Sequence, residues 1–171
     1  LDLRNLKYTG YAAFNGPFVI RYPRGKGEMK DWRNEMQVLP IGKGKKLRDG
    51  DDIAVLSIGP IGNEVIKAIE MVKEEGVSIA HYDMLYLKPL DEELLHEIGR
   101  KYNRIITVEN GVIKGGFGSA VLEFMADNGY TPHVKRIGVP DAFIEHGSLP
   151  ELYQLCGMDA ESIAKQLKKE N

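Results

Sequence analysis

From Asp51 onward the chain alternates between two hydrophobic periods, and that alternation constrains its fold more than any other feature. "DDIAVLSIG" is almost continuously apolar from Ile53 to Ile58, and "IGNEVIKAIEMVKEEG" then sets Ile61, Val65, Ile69 and Val72 at helical spacing before a glycine stop. The pairing recurs as "VSIAHYD" before "LDEELLHEIGRKY" and as "RIITVEN" before "GGFGSAVLEFMADNGY". A fourth strand, "HVKRIGV", precedes two closing helices, "LPELYQLCG" and "DAESIAKQLKKEN". Strands apolar on both faces need cover on both faces, so the pattern predicts an α/β domain with a mostly parallel sheet between helix layers. In the helix after Pro89, Asp91 stands where an N-cap belongs, with Leu94, Leu95 and Ile98 on the apolar face.

The residues before this alternation read differently. Leu3, Leu6, Tyr8 and Tyr11 predict a first helix that stops near Gly10, with Leu3 and Leu6 on one face. "PFVIRY" predicts a short strand between Gly16-Pro17 and Pro23. One helix and one strand cannot close a core, so residues 1–25 read as the end of a preceding domain. Residues 26–40 are polar, glycine-rich and aperiodic and read as a linker, and residues 41–171 as the α/β domain. "KGKKLRDGDD", from Lys43, reads as a solvated loop. The first residue is Leu1 rather than methionine, so the sequence is expected to be a piece of a longer chain.

Composition excludes several classes. With 28% charged residues of mixed sign and a net charge of −2, neither a nucleic-acid groove nor an anionic membrane is expected as the main partner. The absence of a long apolar run or an apolar leader leads to the expectation of a soluble, intracellular protein. The single cysteine, Cys156, cannot form a disulfide within the chain and reads as a buried structural thiol. His81, His96, His133 and His146 show no metal-ligand spacing, so no metal site is assigned.

Three features bear on chemistry. The cluster "VENGVIKGGFGSAV" follows a strand and opens a helix, where backbone N–H groups collect and bind anions. A dinucleotide fingerprint needs a glycine where Val121 stands, so close packing of the helix, against the sheet or against another subunit, is the better account. Glu109 ends a strand on the side where open α/β sheets bind ligands, without a second acid or base that the sequence places beside it. In "RYPRG", Pro23 fixes a backbone angle, Gly25 lets the chain turn away, and Arg24 presents a planar fork suited to phosphate or carboxylate. Arg24, or Arg21 as second choice, binds a substrate anion or else pairs with a carboxylate of a neighbouring domain, and the residues alone leave both open.

"GPFVIRYPRG", "LPIGKG", "YDMLYLKPLDEELL", "TVENGVIKGGFGSAVLEFM" and "GVPDAFIEHGSLPELYQLCGMDAESIA" together resemble, in order and spacing, the carboxyl-terminal part of the 1-deoxy-D-xylulose-5-phosphate synthase family. The resemblance covers essentially the whole chain. "KPLD" and "GGFG" are shared across the transketolase superfamily, whereas "RYPRG" joined to "GVPDAFIEHGS" is more specific. Two places depart from the family pattern. Leu85-Tyr86-Leu87 stands where an arginine-phenylalanine pair usually precedes a valine, and Val108 stands where a second glutamate is frequent.

The resemblance implies a transketolase C-terminal-domain-like three-layer sandwich with a mostly parallel five-stranded sheet. Before it would come the last helix and strand of a pyrimidine-binding domain. It also implies a homodimeric, cytoplasmic bacterial transferase that uses thiamine diphosphate and Mg2+. The implied reaction decarboxylates pyruvate and transfers the two-carbon unit to D-glyceraldehyde 3-phosphate, giving a precursor of isoprenoids, thiamine and pyridoxal. Arg24 then matches the arginine that binds the glyceraldehyde phosphate. The superfamily's "GDG" with a downstream asparagine is not found here, so no catalytic, cofactor-binding or metal residue is assigned and the piece alone is expected to be inactive. Two alternatives stay open: the last domain of a 2-oxo acid dehydrogenase β subunit, and a non-catalytic dimerisation or regulatory module.

Overall fold

The structure, a computed structural model, describes residues 2–23 and 33–168. The chain divides into two compact units, Leu1–Ile41 and Gly42–Asn171.

In the first unit, helix α1 (Asp2–Ala12) buries Asn5 and Thr9 instead of the expected Leu3 and Leu6 face. These polar side chains have partners that an apolar face would not need. Asn5 Oδ1 accepts the Gln37 N–H at 3.2 Å, and Thr9 Oγ1 accepts the Leu39 N–H at 2.8 Å while donating to the Asn5 carbonyl at 2.8 Å. The helix also passes Gly10, where an added Cβ would lie 2.8 Å from the Phe18 ring. The expected strand over "PFVIRY" does not form, because residues 17–23 carry no strand. A strand exists only as a member of a ladder, and no strand is found among the described residues of this unit.

The second unit is the α/β domain. Strands β1 (Lys45–Arg48), β2 (Ile53–Ile58), β3 (Ile79–Asp83), β4 (Arg104–Val112) and β5 (His133–Val139) form one sheet in the order β1-β3-β2-β4-β5. β2 runs parallel to β3 and β4, and β4 parallel to β5. The residues alone suggested four strands. The fifth is β1, which pairs antiparallel with β3 from within the stretch read as a solvated loop. Its sequence, KKLR, buries no side chain, and its Lys-rich character suits an edge strand that is held by backbone pairing and must not recruit a neighbour.

Helices α2 (Gly62–Met71), α3 (Glu92–Lys101), α4 (Phe117–Asp127), α5 (Leu149–Leu155) and α6 (Ala160–Leu167) complete the layers. One core joins Val55, Ile106 and Val108 to Ile61, Val65 and Ile69 of the α2 region and to Ile163 and Leu167 of α6. The other joins Ala54, Leu56 and Ile105 to Leu95 and Ile98 of α3 and to Phe117, Val121 and Met125 of α4. Asp91 caps α3 as expected, accepting the Leu94 N–H at 3.2 Å. It also accepts the Gly44 N–H at 2.9 Å, which fastens the approach to β1 onto the start of α3.

The entry to β2 is clamped to that of β3. The N–H groups of Asp52 and Ile53 reach the Ser78 carbonyl, and Asp52 in turn accepts the Ser78 N–H at 2.8 Å. Gly50 lies against this junction, its carbonyl accepting the Tyr102 hydroxyl at 2.6 Å. A Cβ there would sit 2.2 Å from the Ile79 carbonyl carbon and 2.3 Å from the Ala80 nitrogen. Both are backbone atoms and cannot rotate away. Gly50→Ala is therefore expected to lower unfolding free energy by about 3 kcal/mol, and an unchanged denaturation midpoint would refute this close approach.

Candidate functional site

The carboxyl end of the sheet, where β4 runs into the glycine-rich turn, is where the sequence placed Glu109 and a possible anion site. Glu109 is buried near the end of β4. Its partners are backbone: Oε2 accepts the Phe117 N–H at 2.9 Å and Oε1 the Gly118 N–H at 2.8 Å. The first-turn donors of α4, which would bind an external anion, are thus held by an anion of the same chain. The partner the sequence could not show is the helix start itself.

The glycines are explained by the same contact. A Cβ on Gly116 would lie 2.3 Å from Glu109 Oε2, one on Gly118 2.5 Å from Thr107 Oγ1, and one on Gly138 3.1 Å from Glu109 Cγ. Close packing of helix on sheet therefore accounts for the cluster. Gly116→Glu, the substitution that would probe this helix start as a subunit contact, would collide with Glu109 before it met another molecule. The turn is tied further by Arg136, whose Nη1 donates to the Ile113 carbonyl at 2.6 Å and to Ser119 Oγ at 2.8 Å.

The histidines do not converge. His96 pairs with the Tyr130 hydroxyl at 3.0 Å and packs edge-on against Phe124, while His133 and His146 are exposed. His81 is buried and lies 2.8 Å from Ser57 Oγ through Nε2. That separation is the one expected of a nucleophile and its base, yet both residues are buried and a Cβ on Gly62 would meet Ser57 Oγ at 2.9 Å. The pair is part of the packing between the sheet and α2. Burial holds the imidazole neutral and pushes its pKa down to about 4. Cys156 is half-buried against the same side of the core.

Arg24, the expected phosphate-binding residue, lies outside the described residues. The strand that was to aim it is absent over 17–23, so strand geometry lends it no support. Arg21, the second choice, is exposed in a segment without regular structure. Among the described residues, no group of three or more His, Cys, Asp or Glu side chains could hold a metal ion, and no helix is long and apolar enough to cross a membrane.

Residues 42–163 match the family model of the transketolase C-terminal domain. The chain belongs to that family. The chain is 96% identical, over all 171 residues, to 1-deoxy-D-xylulose-5-phosphate synthase of Parabacteroides distasonis. It is 60% identical over 170 residues to the protein of the same name from Bacteroides thetaiotaomicron. The chain spans only 27% and 26% of the lengths of these relatives. Among solved structures, a split-gene transketolase described as an inactive beta4 tetramer superposes with a TM-score of 0.69 at 31% identity, over 78% of this chain and 45% of that one. A transketolase from Campylobacter jejuni superposes with a TM-score of 0.55 at 13% identity over 73% of this chain and 18% of that one, a likeness of fold alone.

In this transketolase C-terminal domain Glu109 holds a helix in place. Glu109→Gln is expected to destabilise the domain by about 1–3 kcal/mol, because one α4 N–H would face an amide NH2 instead of an acceptor. A midpoint equal to wild type would return Glu109 to the list of ligand-binding candidates. His81 sets a pH dependence. Its folded pKa of about 4 lies below the unfolded value of 6.5, so the unfolded chain takes up the proton first. The contribution is fully present above about pH 6.5 and is lost as pH falls toward 4, amounting to about 3 kcal/mol on complete titration. Urea denaturation across that window should show the slope in wild type and a flatter one in His81→Gln, and equal slopes would refute a buried neutral imidazole.

Proposed function

We propose that this chain is the carboxyl-terminal part of a thiamine-diphosphate-dependent synthase. The enzyme condenses pyruvate with D-glyceraldehyde 3-phosphate, giving 1-deoxy-D-xylulose 5-phosphate and CO2. The observation that carries the reading is the 96% identity, over the full 171 residues, to a protein bearing that synthase's name. In this reading residues 1–25 end the pyrimidine-binding domain, 26–40 link, and 41–171 form the third domain. The whole enzyme works as a homodimer in the bacterial cytoplasm.

The described residues do not fit the cofactor. They offer no metal cluster, and the α4 N-terminus, which could otherwise have received a diphosphate, is filled by Glu109. In this reading thiamine diphosphate and Mg2+ are held by the rest of the synthase, and the piece alone is expected to be inactive.

What this chain contributes directly is Arg24. A guanidinium offers a phosphate two parallel N–H donors and fixes its orientation as well as its position. Held in that way, the acceptor aldehyde presents its carbonyl carbon to the two-carbon donor in a restricted geometry, which lowers the barrier for carbon–carbon bond formation.

The reading is tested by expressing the full-length protein and following product formation from both substrates. Product that depends on both substrates and on thiamine diphosphate is expected, and its absence would refute the assignment. Within it, Arg24→Ala should raise the KM for D-glyceraldehyde 3-phosphate by about 10- to 100-fold and leave pyruvate decarboxylation nearly unchanged. Equal loss in both half-reactions would remove Arg24 from the acceptor site.

A further inference from the structure

Most of the stretch "GVPDAFIEHGS", which together with "RYPRG" gives the resemblance its specificity, stands clear of the packing of its own domain. After β5 ends at Val139, residues 140–148 run without helix or strand to Ser148, the N-cap of α5. From Asp141 to Ser148 every residue except Ile144 is exposed. Phe143 reaches a relative exposure of 108%, as open as in an unfolded chain. Leu149, which follows the loop, is half-exposed, and none of the seven residues of α5 is fully buried.

The two ends of this loop are nevertheless fastened. Ala142 N–H donates to the Pro140 carbonyl at 2.8 Å, and Lys114 bridges to Asp141 at 3.2 Å. At the other end Ser148 and Glu151 form a reciprocal capping box. Between these anchorages the loop holds a phenylalanine ring in water. Burying such a ring is favourable, and aromatic residues, phenylalanine among them, are enriched at interfaces.

We propose that residues 141–149 are a docking arm, with Phe143 as its anchor, for the part of the synthase polypeptide that lies N-terminal to this chain. The inference rests on the reading given under the proposed function. The chain spans 27% of its 96%-identical relative, so nearly three quarters of that polypeptide lies outside it and is available as the occupant. Size separates this occupant from a separate protein that is not otherwise bound to the enzyme. An arm built on one phenylalanine and one leucine buries about 200–400 Å², well short of the roughly 800 Å² per partner that a stable complex between separate chains requires. A segment in the same polypeptide meets the arm at a high effective concentration and needs no such area. The chemistry that fits it is an apolar pocket with a cationic rim facing the exposed Glu145.

The test uses the full-length protein with Phe143 replaced by the photo-crosslinker p-benzoyl-L-phenylalanine. Irradiation should give a crosslink within one polypeptide, at unchanged mass, that peptide mapping places N-terminal to the first residue of this chain. A product of doubled mass would give the arm to a second copy and overturn the proposal, and so would the absence of any crosslink. Synthase activity, assayed on the same sample before irradiation, keeps the two readings apart. Activity without a crosslink refutes only the docking arm, and a crosslink without activity refutes only the enzymatic assignment.

Discussion

The α/β domain depends on one constraint: β2 and β4, at the middle of the sheet, have no water on either face. Ile53 to Ser57 of β2 and Ile105 to Glu109 of β4 are buried. Backbone groups there must be paired within the sheet, and side chains on each face must be met by a helix layer. Everything outside the two strands follows from this requirement. α2 and α6 close one face, and α3 and α4 close the other. β1 and β5, with water on part of their surface, tolerate lysine, arginine and histidine.

Several of the polar groups that remain inside are held by partners, whereas Thr107 Oγ1 is buried without one. Ser57 and His81 satisfy one another beneath the start of α2, Tyr82 and Tyr102 are linked at 3.3 Å, and Tyr102 closes on the Gly50 carbonyl. Burial pushes the Tyr82 phenol up, which keeps it a neutral hydrogen-bonding group. Glu109 belongs to the same class, except that its partners are the unpaired donors of a helix. In an open α/β sheet the carboxyl end of the strands is the usual place for a ligand, and here a carboxylate of the chain already fills the most suitable anion position.

Much of the α/β domain is legible in the sequence, because side-chain periodicity records how many faces of an element are buried. The four apolar strands and the five helices of the domain follow from spacing, and Asp91 as an N-cap follows from residue type and place. β1 was not legible for the converse reason. Its pairing with β3 is a backbone interaction that leaves no mark on side chains, and KKLR reads as a loop. The strand over 17–22 failed in the opposite way: β-branched and aromatic residues were present, and a ladder to join was not. α1 shows a third kind of miss, since Asn5 and Thr9 became the buried face through partners 32 and 30 residues away.

What the sequence determined by itself was the class of fold and the family, because both are written in local patterns: hydrophobic periods, turn residues, and ordered motifs such as "RYPRG" and "GVPDAFIEHGS". What only the tertiary structure decided was the meaning of individual polar residues. Glu109 reads as a catalytic candidate until Phe117 and Gly118 are seen to hold it, and Ser57 with His81 reads as unrelated until the register of β2 and β3 brings them together. A side chain's chemistry depends on what lies within about 3 Å of it, and in a folded chain those neighbours are set by packing between segments far apart in sequence.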